Sequence, residues 1–316
     1  MDDRSNGMLL GGLIGDAFGS RYEFKTAEKV NFLLIEDQNQ ITGLLGGGPF
    51  NLIPGQVTDD SELALALYHS IKNNAGIYNQ EKAAQEYLKW FNSNPFDIGN
   101  TTMAAFAGAS SAKQILLNSQ TKNMSSMSNG CLMRIWALMY FYHNKSDEEI
   151  VRAASEDCRL THPNLSCQHI VICYCLMLKR LIKGMKPNDV IIFANDYAEK
   201  NKDALLNVCL RSWSQSGFEF NRRECVLHVD NGDAGFIAKS FVLALKALMA
   251  DNANFFQGIY RTAEFGGDTD TNCCITGAII GAKFGYSNIH QPWVKSIYNC
   301  ENPRKSLYPH LDLNTL

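Results

Sequence analysis

The sequence predicts an all-α protein, on three observations. Apolar residues recur with the helical period along most of the chain, runs with the strict alternation of a half-buried strand are scarce, and capping residues punctuate the helical stretches. No repeat, low-complexity tract or linker divides the chain, so one domain over residues 1–316 is expected.

The helices are predicted in order as follows. The first apolar stretch carries Gly11, Gly12, Gly15 and Gly19, a spacing that predicts close helix packing; no strand precedes them, as a nucleotide-binding glycine loop requires. Asp60 to Ile71 sets leucines on one face after an acidic start, and Asn79 opens the next helix. The segment TTMAAFAGASSAKQILL from Thr101 is expected as one helix, followed by LMRIWALMYFY. Ser146 with Glu149 forms a capping-box pattern, Asn164 caps a strongly apolar run, and Gly184 ends it. Further amphipathic stretches are Asn188 to Lys200, Asp203 to Trp213, Ala234 to Met249 and Asn254 to Glu264. Asp270 to Phe284 is apolar nearly all round and is expected as a buried central helix. The loops are short except for Phe32 to Val57, which is broken by Gly46-Gly47-Gly48-Pro49; Ser214 to Asp233 is a polar connection.

Composition excludes several function classes. The chain is 46% hydrophobic and 19% charged, and 29 basic against 32 acidic residues give a net charge of -3, so there is no electrostatic footprint for nucleic acid or an anionic membrane. The apolar run near the N-terminus is too short to span a bilayer and follows mixed charges. Ten cysteines without regular spacing, none in a C-x-x-C pair, predict buried thiols in the cytoplasm or another reducing compartment, and no zinc site.

Two acidic motifs, far apart in sequence, each stand where a loop enters a helix: Thr58-Asp59-Asp60, and Gly267-Asp268-Thr269-Asp270-Thr271. Either alone reads as helix capping. Together, with Gly266-Gly267 permitting close backbone approach, they place four carboxylates where they would repel unless cations offset them. Four Asp supply -4 and two divalent ions +4, while the Thr58 and Thr271 hydroxyls complete an all-oxygen shell. Such a shell favours Mg²⁺ or Mn²⁺ over zinc, with paired ions ~3.5–4 Å apart.

The chain resembles the ADP-ribosylglycohydrolases in six motifs, which stand in that family's order: GGLIGDAFGSRYEF (Gly11 to Phe24), PGQVTDDSELALAL (Pro54 to Leu67), FDIGNTT (Phe96 to Thr102), SNGCLMR (Ser128 to Arg134), LTHPN (Leu160 to Asn164) and GGDTDTNCCITGAIIGA (Gly266 to Ala282). The resemblance implies an orthogonal helical bundle with a metal pair at its centre, held by Thr58, Asp59, Asp60, Asp268, Asp270 and Thr271. It also implies Glu23 and Asp97 as acid/base candidates, Gly99 and His162 near the substrate, and Ser126, Met127, Ser128 and Asn129 as the loop that meets a pyrophosphate through free amides. Taken singly these residues have plainer roles: a solvated charge for Glu23, an N-cap region for Asp97, a structural histidine for His162.

The implied activity is removal of ADP-ribose from a modified protein side chain. Cleavage of a ribosyl bond passes through an oxocarbenium-like state, which calls for an oriented ribose, an activated water and, for a poor leaving group, an acid. The ion pair is expected to serve the first two needs, and Glu23 or Asp97 the proton. FDIGNTT leans toward an arginine linkage, and Glu23 leaves a serine linkage open. Two alternatives stand beside this: a retired, crystallin-like or ADP-ribose-binding protein, and a two-metal nucleotide phosphohydrolase. The expected partner is an ADP-ribosylated protein or free ADP-ribose, and the expected state a monomer.

Overall fold

The computed structural model describes residues 2–37, 42–214, 219–221, 226–228, 235–251 and 254–312. Its first eight helices are α1 (Asp3–Gly19), α2 (Ala27–Glu36), α3 (Asp59–Lys72), α4 (Gln80–Asn92), α5 (Asn100–Phe106), α6 (Ala112–Lys122), α7 (Leu132–Tyr142) and α8 (Asp147–Thr161). The rest are α9 (Leu165–Ile182), α10 (Pro187–Asn201), α11 (Ala204–Ser212), α12 (Ile237–Met249), α13 (Phe255–Ala263), α14 (Thr269–Phe284) and α15 (Gln291–Tyr298). The all-α expectation holds. One antiparallel hairpin, β1 (Glu219–Asn221) with β2 (Val226–His228), falls inside the predicted polar connection, most of which lies outside the described residues.

The centre of the bundle is the pair α1 and α14, which make the most extensive helix–helix contact among the described residues. Both are buried on every side over most of their length. The predicted glycine packing is what brings them together: a Cβ on Gly11 would collide with the carbonyl oxygen of Gly277, one on Gly15 with that of Cys273, and one on Gly19 with that of Thr269. Helices α7, α9, α12 and α13 pack around this pair, and α3 packs on α7. Exchanging a helical glycine for alanine ordinarily stabilises by ~0.5–1 kcal/mol. For Gly15→Ala the opposite is expected, a loss at or beyond the upper end of the ~1–3 kcal/mol that overpacking costs, because the obstacle is backbone rather than a movable side chain. Urea unfolding of the variant measures it, and a stabilised variant would show that α1 and α14 do not meet this closely.

Two local expectations are corrected. The long loop from Phe32 begins later than predicted, because α2 runs to Glu36; Thr26 caps it, accepting from the Lys29 amide, and Val30 and Leu34 bury one face. The helix predicted from Thr101 through Leu117 is two helices, broken where Gly108 takes a φ of 71°. Past α15, the C-terminal turns fold back onto α3: Arg304 makes a paired contact with Glu62, Nε to Oε1 at 2.8 Å and a terminal nitrogen to Oε2 at 3.0 Å. Trp90 Nε1 donates to the same carboxylate at 2.6 Å. The Ser146–Glu149 capping box forms as expected.

Candidate active site

Two helix N-termini supply the acidic turns, and neither uses its cap residue as a cap. Thr58 precedes α3 and Asp268 precedes α14, yet neither side chain accepts a hydrogen bond from its own helix. The Thr58 hydroxyl instead lies 2.9 Å from Asp16 Oδ1 and 3.3 Å from Asp60 Oδ2. Asp268 Oδ2 accepts from the Asn129 side-chain amide at 2.8 Å, and that amide also donates to Ser240 Oγ at 3.0 Å. The turns meet where the Thr271 hydroxyl donates to Asp60 Oδ2 at 3.3 Å, across 211 positions of sequence. Ordinary capping therefore does not account for them.

They open into a cleft of roughly 470 Å³. Glu23, Asp59, Asp60, Asp97, Gly99, Ser128, Asn129, Asp268, Asp270 and Thr271 all line it, so ten of the fourteen residues singled out in the sequence converge. Glu23 arrives by a backbone latch: the Phe24 amide donates to the Gly267 carbonyl at 2.8 Å, and the Gly267 amide to the Lys25 carbonyl at 2.8 Å. Gly266 and Gly267 adopt φ of 63° and 78°, and a Cβ on Gly266 would sit 2.6 Å from the Ala27 nitrogen. The close approach predicted for this glycine pair thus positions the Glu23 loop against the Asp268 turn.

Four residues stand elsewhere. Thr58 is fully buried behind Asp60. His162 is also fully buried, with Nε2 2.7 Å from Ser128 Oγ and Nδ1 2.8 Å from Thr161 Oγ1, so it braces the loop rather than facing the cleft. Met127 packs against the core. Ser126 reaches the site through Thr101, their hydroxyls 2.8 Å apart. The expectation of free amides is corrected at two of the four residues: the Ser126 amide donates to the Asn123 carbonyl and the Asn129 amide to the Gly235 carbonyl, each at 2.9 Å. The loop offers the Ser128 hydroxyl and the Asn129 side chain instead.

Asp16, on α1, escaped the sequence reading. It is fully buried, and its carboxylate accepts from the backbone amides of Thr58 and Ser61 as well as the Thr58 hydroxyl, tying the start of α3 to α1. Burial pushes it up to about 6, against the opposing pull of these hydrogen bonds. Below the cleft, a buried Arg134–Asp157 pair at 3.1 Å holds the Gly130 carbonyl through a further guanidinium bond of 2.9 Å.

The electrostatics are those of crowded anions. Burial, then the neighbouring carboxylates, holds Asp59, Asp60 and Asp270 well above the ordinary range, and burial raises Asp97. Burial and then Asp268 and Asp97 push Glu23 up to about 8. Asp60 Oδ1 and Glu23 Oε2 are buried without a hydrogen-bond partner. Orphaned anionic oxygens in an all-oxygen donor set fit hard divalent cations. One oxygen each of Glu23, Asp97 and Asp270 lie within 4.8 Å of one another, so the two acid/base candidates stand in the carboxylate cluster itself.

Comparison with known proteins agrees with this architecture. The family model for ADP-ribosylglycohydrolase matches residues 1–312. A protein of Acanthamoeba polyphaga mimivirus that carries an ADP-ribosyl glycohydrolase name is 36% identical over 315 residues, covering 97% of this chain and 94% of the relative. An ADP-ribosylarginine hydrolase of Serratia proteamaculans is 26% identical over 323 residues, covering 95% of this chain and 76% of its own. A solved ADP-ribosylglycohydrolase-related protein complex shares the fold, with a TM-score of 0.74 at 22% identity and coverage of 100% and 99% of the two chains. With that model running nearly the length of the chain and the paired acidic turns at its centre, the protein belongs to the ADP-ribosylglycohydrolase family, hydrolases that cleave the glycosidic bond to ADP-ribose.

Proposed function

We propose that the protein removes ADP-ribose from the arginine side chains of modified proteins, and that it does so with two divalent cations, Mg²⁺ or Mn²⁺. The observation that carries this is the meeting of the two acidic turns at Thr271 and Asp60, beside carboxylate oxygens with no partner. Thr58, Asp59, Asp60, Asp268, Asp270 and Thr271 are the residues to hold the cations. When bound, such ions supply Lewis acidity and a charge template for an oxygen-rich substrate.

The chain's own residues do the rest. Asp16 fixes the Asp59–Asp60 turn, Asn129 orients Asp268, and Ser128, braced by His162, faces the phosphates. Glu23 and Asp97 are the groups to hold or deliver a proton at the scissile nitrogen and the attacking water. The arginine linkage is supported by the place of Asp97 in the carboxylate cluster and by the Serratia relative, whose name is that of an ADP-ribosylarginine hydrolase. In this reading residues 1–316 act as one domain and as a monomer, in a reducing intracellular compartment that suits the free thiols of the described cysteines.

The test is release of free ADP-ribose from ADP-ribosyl-arginine and ADP-ribosyl-serine peptides, with Mg²⁺, with Mn²⁺ and in excess chelator. Release from the arginine peptide that depends on added metal is the expected result. Full turnover with metal content measured as zero would remove the cations from the reading. Inertness toward both peptides would leave a binding protein, and release of a nucleoside monophosphate from free ADP-ribose would make it a phosphohydrolase.

A further inference from the structure

An aromatic arc that neither metal nor ribose explains runs out from the cleft, with Phe24 at the cleft wall and Phe50 and Phe96 behind it. Phe24 directly follows Glu23, lines the cleft and is 66% exposed. Its φ of 61° lies in the left-handed region that disfavours a bulky side chain, and the hydrogen bond from its N–H to the Gly267 carbonyl holds it there. The Phe24 ring meets Phe50 edge-on with centroids 6.2 Å apart, and Phe50 meets Phe96 at 5.1 Å. Phe96 is 37% exposed and directly precedes Asp97. Each acid/base candidate is therefore adjacent in sequence to one end of a single aromatic arc. The arc already neighbours one guanidinium, since the Arg304 carbon lies 5.9 Å from the centre of the Phe96 ring.

Chemistry narrows what such an arc receives. Glu23 and Asp97 set two carboxyl groups beside the arc, one oxygen of each within 4.8 Å of one of Asp270. Aromatic faces beside carboxylates attract a cation, and a planar delocalised one most of all, because it stacks on rings and pairs with carboxylates at its edge. Groups that act on the scissile bond mark where the modified side chain leaves. We propose that Phe24, Phe50 and Phe96 form the acceptor subsite, and that they select the guanidinium of an arginine over the hydroxyl of a serine. This rests on the ADP-ribosyl hydrolase reading and adds to it the residues that choose the linkage.

The experiment compares Phe24→Leu, Phe96→Leu and Phe24→Trp with the wild type in two ways. The first is kcat/KM on the arginine and serine peptides; the second is calorimetric binding of agmatine to the metal-loaded protein saturated with ADP-ribose. The leucine variants are expected to lose roughly 3- to 30-fold more on the arginine peptide than on the serine peptide, the span of a cation–π contact, with ADP-ribose affinity and melting temperature unchanged. Agmatine binding should weaken in step, and Phe24→Trp should restore both. Equal losses on the two peptides, unchanged agmatine binding, or weakened ADP-ribose binding that places the adenine on this arc would each overturn the proposal. A wild type that cleaves neither peptide refutes the hydrolase reading instead, while the agmatine titration still reports on the subsite.

Discussion

Asp60→Asn is expected to abolish hydrolysis while making the metal-free protein more stable. Asp60 is nearly fully buried, its Oδ1 has no partner, and burial followed by Asp59, Asp16 and Asp268 opposes its charge. In chelator the wild type bears this uncompensated; an amide of the same shape keeps an oxygen for the two threonine hydroxyls and turns the orphaned position into a donor. The gain comes from removing a buried charge that three neighbouring carboxylates oppose. With cations bound the sign reverses, because the variant has lost a ligand, and its rate should fall to that of the chelated wild type.

The same crowding has a pH signature in chelator. Glu23 ionises at about 8 in the folded chain against an ordinary 4.5, so the folded state holds a proton that the unfolded chain has released. That stabilisation is complete below the unfolded value and is lost as pH rises through the folded one. His69, pushed down to about 4 by burial and by His310, works in the opposite direction but only below its ordinary 6.5. Between about pH 6.5 and 8 the metal-free melting temperature should therefore fall, and saturating Mg²⁺ should flatten the slope. A metal-free Asp60→Asn that melts below the wild type would overturn this account of the cleft.

The acidic turns were readable because adjacent carboxylates at two helix starts are a local pattern with a global consequence, and the glycine spacing on α1 was readable because close packing leaves its mark in one-turn steps. Asp16 was not. A single acid inside the apolar run Gly7 to Gly19 carries no pattern of its own, although a charge on a helix otherwise buried needs partners, and that need was the available signal. The amides of Ser126 and Asn129 escape the sequence for a related reason: their acceptors, Asn123 and Gly235, include a residue more than a hundred positions away. The break at Gly108 was hidden because one glycine in a helical period reads as tolerated, whereas Ala107 and Ser111 also take non-helical backbone angles on either side of it. The sequence thus disclosed the groups that carry charge better than the neutral partners that position them.

Glu23 and Asp97 test how proton transfer is divided between two carboxylates that share a cluster with Asp270. For an arginine substrate, Asp97→Asn is expected to be the more damaging change, by the ~10²–10⁴-fold typical of losing an acid/base group. A protonated guanidine departs with little help, so the burden falls on orienting and deprotonating water, and Asp97 reaches the cluster from the loop before α5. For a serine substrate the leaving alkoxide needs a proton, and Glu23, which burial and anionic neighbours keep protonated up to about pH 8 in the metal-free cleft, becomes the costlier loss. Parallel rates for Glu23→Gln and Asp97→Asn on both peptides read the division directly. Metal affinity must be measured alongside, because either carboxylate lies close enough to Asp270 to share a cation. A rate loss that saturating metal repairs marks a ligand; a loss that persists at full occupancy marks an acid/base group. Small, equal losses in both variants on both peptides would mean that neither carboxylate moves the proton.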